Sequence, residues 1–183
     1  MITRSLHDVP GPRSKSHHLY SQECADLTRH PAIVDRLVGL MGEDILAWGM
    51  CFLERHPNER FLWHTDIEHV AWPGISVCLG LEGMTPRSSL IVAEGSHLVP
   101  YNPQDNGISN YRAIMDHVRS YSANARLVQV PLHPGQFFLF HGKLWHASHN
   151  TSNGTRTSAI IQYSPSSARI AIPLSLRRRV DHR

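Results

Sequence analysis

Eight short apolar runs, separated by Pro, Gly and Asn, set the tightest limit on what this chain can fold into. They cover 45–53, 61–66, 75–81, 90–93, 127–130, 136–140, 145–148 and 157–163. Runs of that length bounded by turn formers suit strands and are too short for most globular helices. Eight in succession predict a mostly β chain, a sandwich or barrel. Two stretches break the pattern. A helix is predicted from about Ser21 or Pro31 to Met41: Ile33, Val34, Leu37, Val38 and Met41 recur at helical spacing, with Pro31 suited to a first helical position and Gly42 to a stop. Between 100 and 124, Tyr111, Ile114, Met115 and Val118 again have helical spacing. An insertion that long in a compact domain is a candidate lid. Residues 1–20 read as an irregular arm and 174–183 as a basic tail around 42–173. With no internal repeat and no boundary signal, all 183 residues read as a single domain.

Composition removes several classes. Hydrophobic residues make up 41% and charged residues 18%, enough apolar surface to offset the entropy of folding. No apolar run approaches the roughly 18 to 20 residues of a membrane-spanning helix, and residues 1–11 hold no secretory apolar segment. Cys24, Cys51 and Cys78 are odd in number and scattered. That argues against a disulfide framework and for a reducing cytoplasm. The formal charge is only +3, and the Arg177-Arg178-Arg179 tail reads as an exposed end rather than a nucleic-acid contact.

Histidine is the unusual count, at 14. In Phe61-Leu62-Trp63-His64-Thr65-Asp66, residues two apart on a strand leave from the same face, so His64 and Asp66 can share a metal. A third ligand is needed to lift this pair above chance. Two His and one carboxylate on one face of an octahedral ferrous ion leave three positions open for a chelating co-substrate and dioxygen. Among the later histidines, His146 stands out, because it opens a short strand after an apolar strand and a Gly turn. Arg156, ten residues on, begins the last apolar strand. A buried guanidinium needs an anion, and its planar fork suits a dicarboxylate.

His64-Thr65-Asp66, His146, Ser148 and Arg156 together resemble the phytanoyl-CoA dioxygenase family, ferrous iron and 2-oxoglutarate dependent oxygenases. The likeness runs from about residue 30 to 163 and includes Trp63, Gly95-Ser96-His97 and Pro134-Gly135. It implies a double-stranded β-helix, a cupin-like jelly roll, here with an N-terminal helix and a helical insertion. It assigns iron to His64, Asp66 and His146, and the far carboxylate of 2-oxoglutarate to Arg156 and Ser148. It further implies O2 as oxidant and hydroxylation of an unactivated C–H in a small organic metabolite, with release of succinate and CO2. Related halogenating enzymes have a small residue at the carboxylate position, so Asp66 disfavours that outcome.

Two rivals are a non-catalytic cupin-like metal-binding or sensing protein and a nucleic-acid demethylase. The demethylase pattern carries a second Arg on the strand after the first, and 157–163 has none. His97 and His141 read as structural hydrogen-bonding groups, Trp145 as pocket wall or core, and Cys78 as inert core. Trp72 and Glu68, just past the ligand strand, are the candidate substrate contacts. A membrane partner is not expected, nucleic acid is disfavoured, and self-association is left open.

Overall fold

A computed structural model describes residues 16–67 and 74–170. Eight strands occupy the eight apolar runs: β1 (Ile45–Arg55), β2 (Arg60–His64), β3 (Ile75–Gly80), β4 (Leu90–Ala93), β5 (Leu127–Val130), β6 (Phe137–His141), β7 (His146–His149) and β8 (Arg156–Pro165). They form two four-stranded antiparallel sheets, in the orders β1-β8-β3-β6 and β2-β7-β4-β5. Between the sheets, Cys78, Phe140 and Ile160 of the first meet Leu90 of the second, with Met84 and Leu132.

The predicted 21–41 helix is two helices, α1 (Gln22–Thr28) and α2 (Pro31–Met41). The break has a steric cause. His30 precedes a proline, which pushes it out of the helical region, and it is extended at φ −60°, ψ 126°. Its ring then accepts a hydrogen bond from the Ala32 N–H at 3.2 Å, capping α2. Cys24, Ile33 and Leu37 from the two helices bury against Met50, Val77, Leu79, Ala159, Ile161 and Tyr163, the outer face of the β1-β8-β3-β6 sheet. The Tyr163 hydroxyl also donates to the Thr28 carbonyl at 2.9 Å, fixing the end of α1 to β8.

The insertion contains the expected helix, α3 (Tyr111–Arg119). Its Ile114, Met115 and Val118 pack with Trp63, Ala93, Trp145 and Ala147. Those sheet residues alternate with His64, Val92 and His146, so α3 covers the face turned away from the two histidines. The candidate lid is therefore, over its helical part, an outer buttress. An amphipathic helix with that apolar stripe is held by the sheet it covers.

Leu37 is fully buried at the centre of the α2–sheet contact. Leu37→Ala is expected to cost about 2 to 5 kcal/mol. Urea unfolding should show a lower midpoint with an unchanged slope. A cost under about 0.5 kcal/mol, the usual range of surface changes, would contradict that packing.

Candidate active site

His64 is the last residue of β2 and His146 the first of β7, and the two are paired across the ladder. Their ring centroids lie 4.1 Å apart. His64 Nδ1 lies 2.8 Å from the Leu62 carbonyl, and His146 Nδ1 lies 2.9 Å from the Leu144 carbonyl. A carbonyl can only accept, so each Nδ1 carries the proton and donates it. That fixes both tautomers and leaves each Nε2 with its lone pair aimed inward.

Asp66 reaches the same point by a route the strand pattern did not show. β2 stops at His64, so Asp66 is not two residues along a strand but in the turn that follows. The backbone N–H groups of Asp66 and Ile67 both donate to the Gly142 carbonyl at 3.0 Å. The Thr65 hydroxyl sits between the Ile67 carbonyl at 3.1 Å and Asn102 Oδ1 at 3.0 Å, and the Thr65 N–H donates to Gln104 Oε1 at 3.3 Å. The part of the insertion that precedes α3 thus grips the ligand turn. An added Cβ at Gly142 would overlap the Ile67 side chain, which would have to shift.

In this arrangement Asp66 Oδ1 lies 3.9 Å from His64 Nε2 and 3.7 Å from His146 Nε2. Among the described residues these three form the candidate metal cluster, with one ligand atom from each within 4.8 Å of the others. Adjacent donors about 2 Å from a metal stand roughly 3 Å apart, so a small contraction completes the site. Two imidazoles and a carboxylate on one side suit ferrous iron with open positions.

Arg156 opens β8 and is 2% exposed. Its Nη1 donates to Ser158 Oγ at 3.0 Å, while its Nε is buried without a hydrogen-bond partner. Among the described residues no carboxylate forms a salt bridge with it. Burial pushes its pKa down most, and Arg55 adds to this, whereas Cys78 and Glu59 oppose it. The group stays cationic, because a guanidinium does not lose its proton near neutrality. Ser148 is 5% exposed and lies two residues beyond His146, so it shares that face of β7.

Cys78 connects the two halves of the site. Burial above all pushes its thiol up to about 12, and the thiol also senses Arg156 and Asp66. The Arg156 guanidinium and the Asp66 carboxylate both lie close enough to act on that thiol. A neutral buried thiol is inert, as the sequence suggested. Alkylation of the native protein at neutral pH is expected to leave Cys78 unmodified and to reach it only after denaturation, read by peptide mass spectrometry. Modification of Cys78 in native protein would contradict this burial.

The other singled-out residues fall elsewhere. His97 and His141 form a separate pair with ring centroids 5.4 Å apart, and His141 Nδ1 accepts the Lys143 N–H at 3.1 Å. Trp145 is fully buried beneath α3. Ser96, in the Gly-Ser-His segment, accepts the Trp145 N–H at 2.8 Å and so fixes the entry to β7. Glu68 and Trp72 lie outside the described residues. Sequence reasoning missed Asn102 and Gln104, which act through their side chains, and Gly142, which acts through its carbonyl; each joins distant loops.

The geometry predicts a single metal ion per chain. His64→Ala or His146→Ala should abolish binding of ferrous ion or a redox-inert substitute, and His97→Ala and His141→Ala should leave it intact. Calorimetric titration decides this. Loss of binding in His141→Ala, with binding kept in His146→Ala, would overturn the ligand set.

Comparison with known proteins gives the same picture of the fold. A solved structure described as non-heme monooxygenase ThoJ in its apo form superposes with TM-score 0.67 at 22% identity, covering 88% of this chain and 64% of that one. EctD from S. alaskensis with 2-oxoglutarate and 5-hydroxyectoine gives TM-score 0.68 at 22% identity, covering 87% and 58%. HygX from Streptomyces hygroscopicus, with nickel and 2-oxoglutarate bound, gives 0.64 at 14% identity, covering 91% and 77%. The chain thus spans less than two thirds of the length of ThoJ and of EctD in its 2-oxoglutarate complex. Comparison with curated proteins returned no match. The family described as Phytanoyl-CoA dioxygenase (PhyH) matches residues 6–158, most of the sequence, and the chain belongs to that family.

Proposed function

We propose that this protein is a non-haem iron and 2-oxoglutarate dependent oxygenase that hydroxylates a small organic molecule. The observation that carries the reading is the pairing of the His64–Asp66–His146 cluster with a buried Arg156 that has no described carboxylate partner. Family membership supports it, as do the solved structures of the same fold with 2-oxoglutarate.

Bound iron with 2-oxoglutarate would supply the oxidising power for C–H cleavage, with succinate and CO2 as co-products. The protein's part is placement. His64 and His146 offer fixed Nε2 lone pairs, and Asp66 offers a carboxylate that offsets part of the ion's charge. Arg156 would clamp the far carboxylate of 2-oxoglutarate with Ser148 beside it, setting the direction from which the 2-oxo acid meets the metal. The apolar walls Cys78, Leu90, Phe140 and Ile160 keep water from the space between the sheets.

Succinate should form from 2-oxoglutarate in an iron-dependent manner, even slowly without the native substrate, and a metabolite screen should raise that rate. Asp66→Ala should end it, since a neutral two-histidine site loses a ligand and a charge. Undiminished turnover by Asp66→Ala would contradict the proposal. Iron binding with no succinate under any condition would favour a non-catalytic binding protein. Arg156→Ala should weaken 2-oxoglutarate binding by about 2 to 5 kcal/mol, roughly thirty- to several-thousand-fold, with little effect on the metal. Equal affinities would mean that Arg156 is not the clamp.

A further inference from the structure

Arg156 does not stand alone at its end of the site. Its direct partner across the β1–β8 ladder is Arg55. Directly opposed residues on antiparallel strands project to the same face, so the two side chains leave the same face of the sheet. Like charges directly opposed on a sheet are destabilising unless an anion sits between or beside them.

The surroundings of Arg55 supply only part of that charge. Its side chain is 12% exposed, and Nη1 lies 3.5 Å from Glu59 Oε1. Nη1 also donates to the Glu54 carbonyl at 2.7 Å. Arg55 Nε is buried and makes no hydrogen bond. Glu59 is 40% exposed, and its other oxygen is taken by the His56 N–H at 2.8 Å. Among the described residues, one half-exposed carboxylate is thus the salt-bridge partner of Arg55, and Arg156 has none.

Arg55 is also linked to Ser148 through Phe61. The Arg55 guanidinium lies over the Phe61 ring, 4.7 Å from its centroid. Phe61 is the cross-strand partner of Ser148. A fully buried Asn150 holds this end rigid: its side chain donates to the Arg55 carbonyl at 2.9 Å and to the Gly154 carbonyl at 2.8 Å. The Asn150 N–H donates to the Glu59 carbonyl at 3.0 Å, and the Asn150 carbonyl accepts the Asn58 N–H at 2.8 Å. The β1–β2 turn and the β7–β8 turn are therefore one unit, with an arginine at the edge of each.

We infer that Arg55 is a second anchor for the far carboxylate of a 2-oxo dicarboxylic acid, so that the co-substrate lies against a paired guanidinium end rather than on Arg156 alone. The inference rests on the reading that Arg156 faces the co-substrate. It makes Arg55 a specificity residue: it selects for the second carboxylate and adds nothing for a 2-oxo acid that lacks one.

The test uses full-length protein loaded with nickel(II), a redox-inert substitute, and calorimetric titration of 2-oxoglutarate and of 2-oxobutyrate. Arg55→Met should bind 2-oxoglutarate about tenfold more weakly than wild type, the size of one hydrogen bond to a charged group. Arg55→Lys should fall between them. Affinity for 2-oxobutyrate should match wild type in both variants, as should nickel affinity. Unchanged 2-oxoglutarate affinity in Arg55→Met would overturn the inference. So would an equal loss for both acids, because the effect would then be on the fold or the chelate. If Arg156→Ala weakens 2-oxoglutarate binding and Arg55→Met does not, only the Arg55 assignment fails. If wild type does not bind 2-oxoglutarate, the proposed function fails and this inference with it.

Discussion

A guanidinium held at 2% exposure inside a β barrel is the constraint around which the site is organised. Removing a cation from water is expensive unless a negative group answers it, and breaking such a pair costs several kcal/mol. Arg156 finds a Ser158 hydroxyl and no described carboxylate. The remaining negative charge near it is Glu59, through Arg55, and the metal carboxylate Asp66, through the shared neighbour Cys78. The two sheets and the clamped turns hold the arginine in place. A dianionic co-substrate bound at the metal would relieve the imbalance, so charge and coordination favour the same ligand.

Placement comes from backbone bonds between loops. The two histidines are fixed by their own strands through bonds to carbonyls two residues earlier. Asp66 is fixed by Gly142, and Thr65 ties that turn to Asn102 and Gln104. The helices stand outside: α1 and α2 cover the outer face of one sheet, and α3 covers the outer face of the other. Helix and strand patterning thus builds walls, while the chemistry sits at strand ends and turns.

Much of this was legible in the sequence, for physical reasons that differ by element. Short apolar runs with turn formers between them located all eight strands, because burial on a pleated surface writes directly into hydrophobicity. The chemistry of two imidazoles, a carboxylate and a lone strand-end arginine pointed to the site residues. The same reasoning misjudged Asp66, which seemed to extend a strand but is carried by a turn bonded to Gly142, a contact across 76 positions of sequence that no local pattern records. It left one helix starting at Ser21 or Pro31, where there are two, although the restriction that Pro31 places on His30 was present in the sequence. It cast the 100–124 insertion as a lid, because helical spacing shows that a face is buried but not against what. Arg55 was invisible for a similar reason: its significance lies in its register opposite Arg156.

The central claim is that one interior space holds a metal on His64, Asp66 and His146 and a 2-oxo dicarboxylate reaching from that metal to Arg156. Anaerobic addition of 2-oxoglutarate to the ferrous protein, followed by visible absorption, tests it most directly. A 2-oxo acid chelated to ferrous iron gives a metal-to-ligand charge-transfer band that neither component shows alone. The account predicts that band at one equivalent of metal per chain, lost in His146→Ala and shifted to much higher 2-oxoglutarate concentration in Arg156→Ala. Absence of the band in iron-loaded wild type at saturating 2-oxoglutarate, or the same titration midpoint in Arg156→Ala, would contradict it.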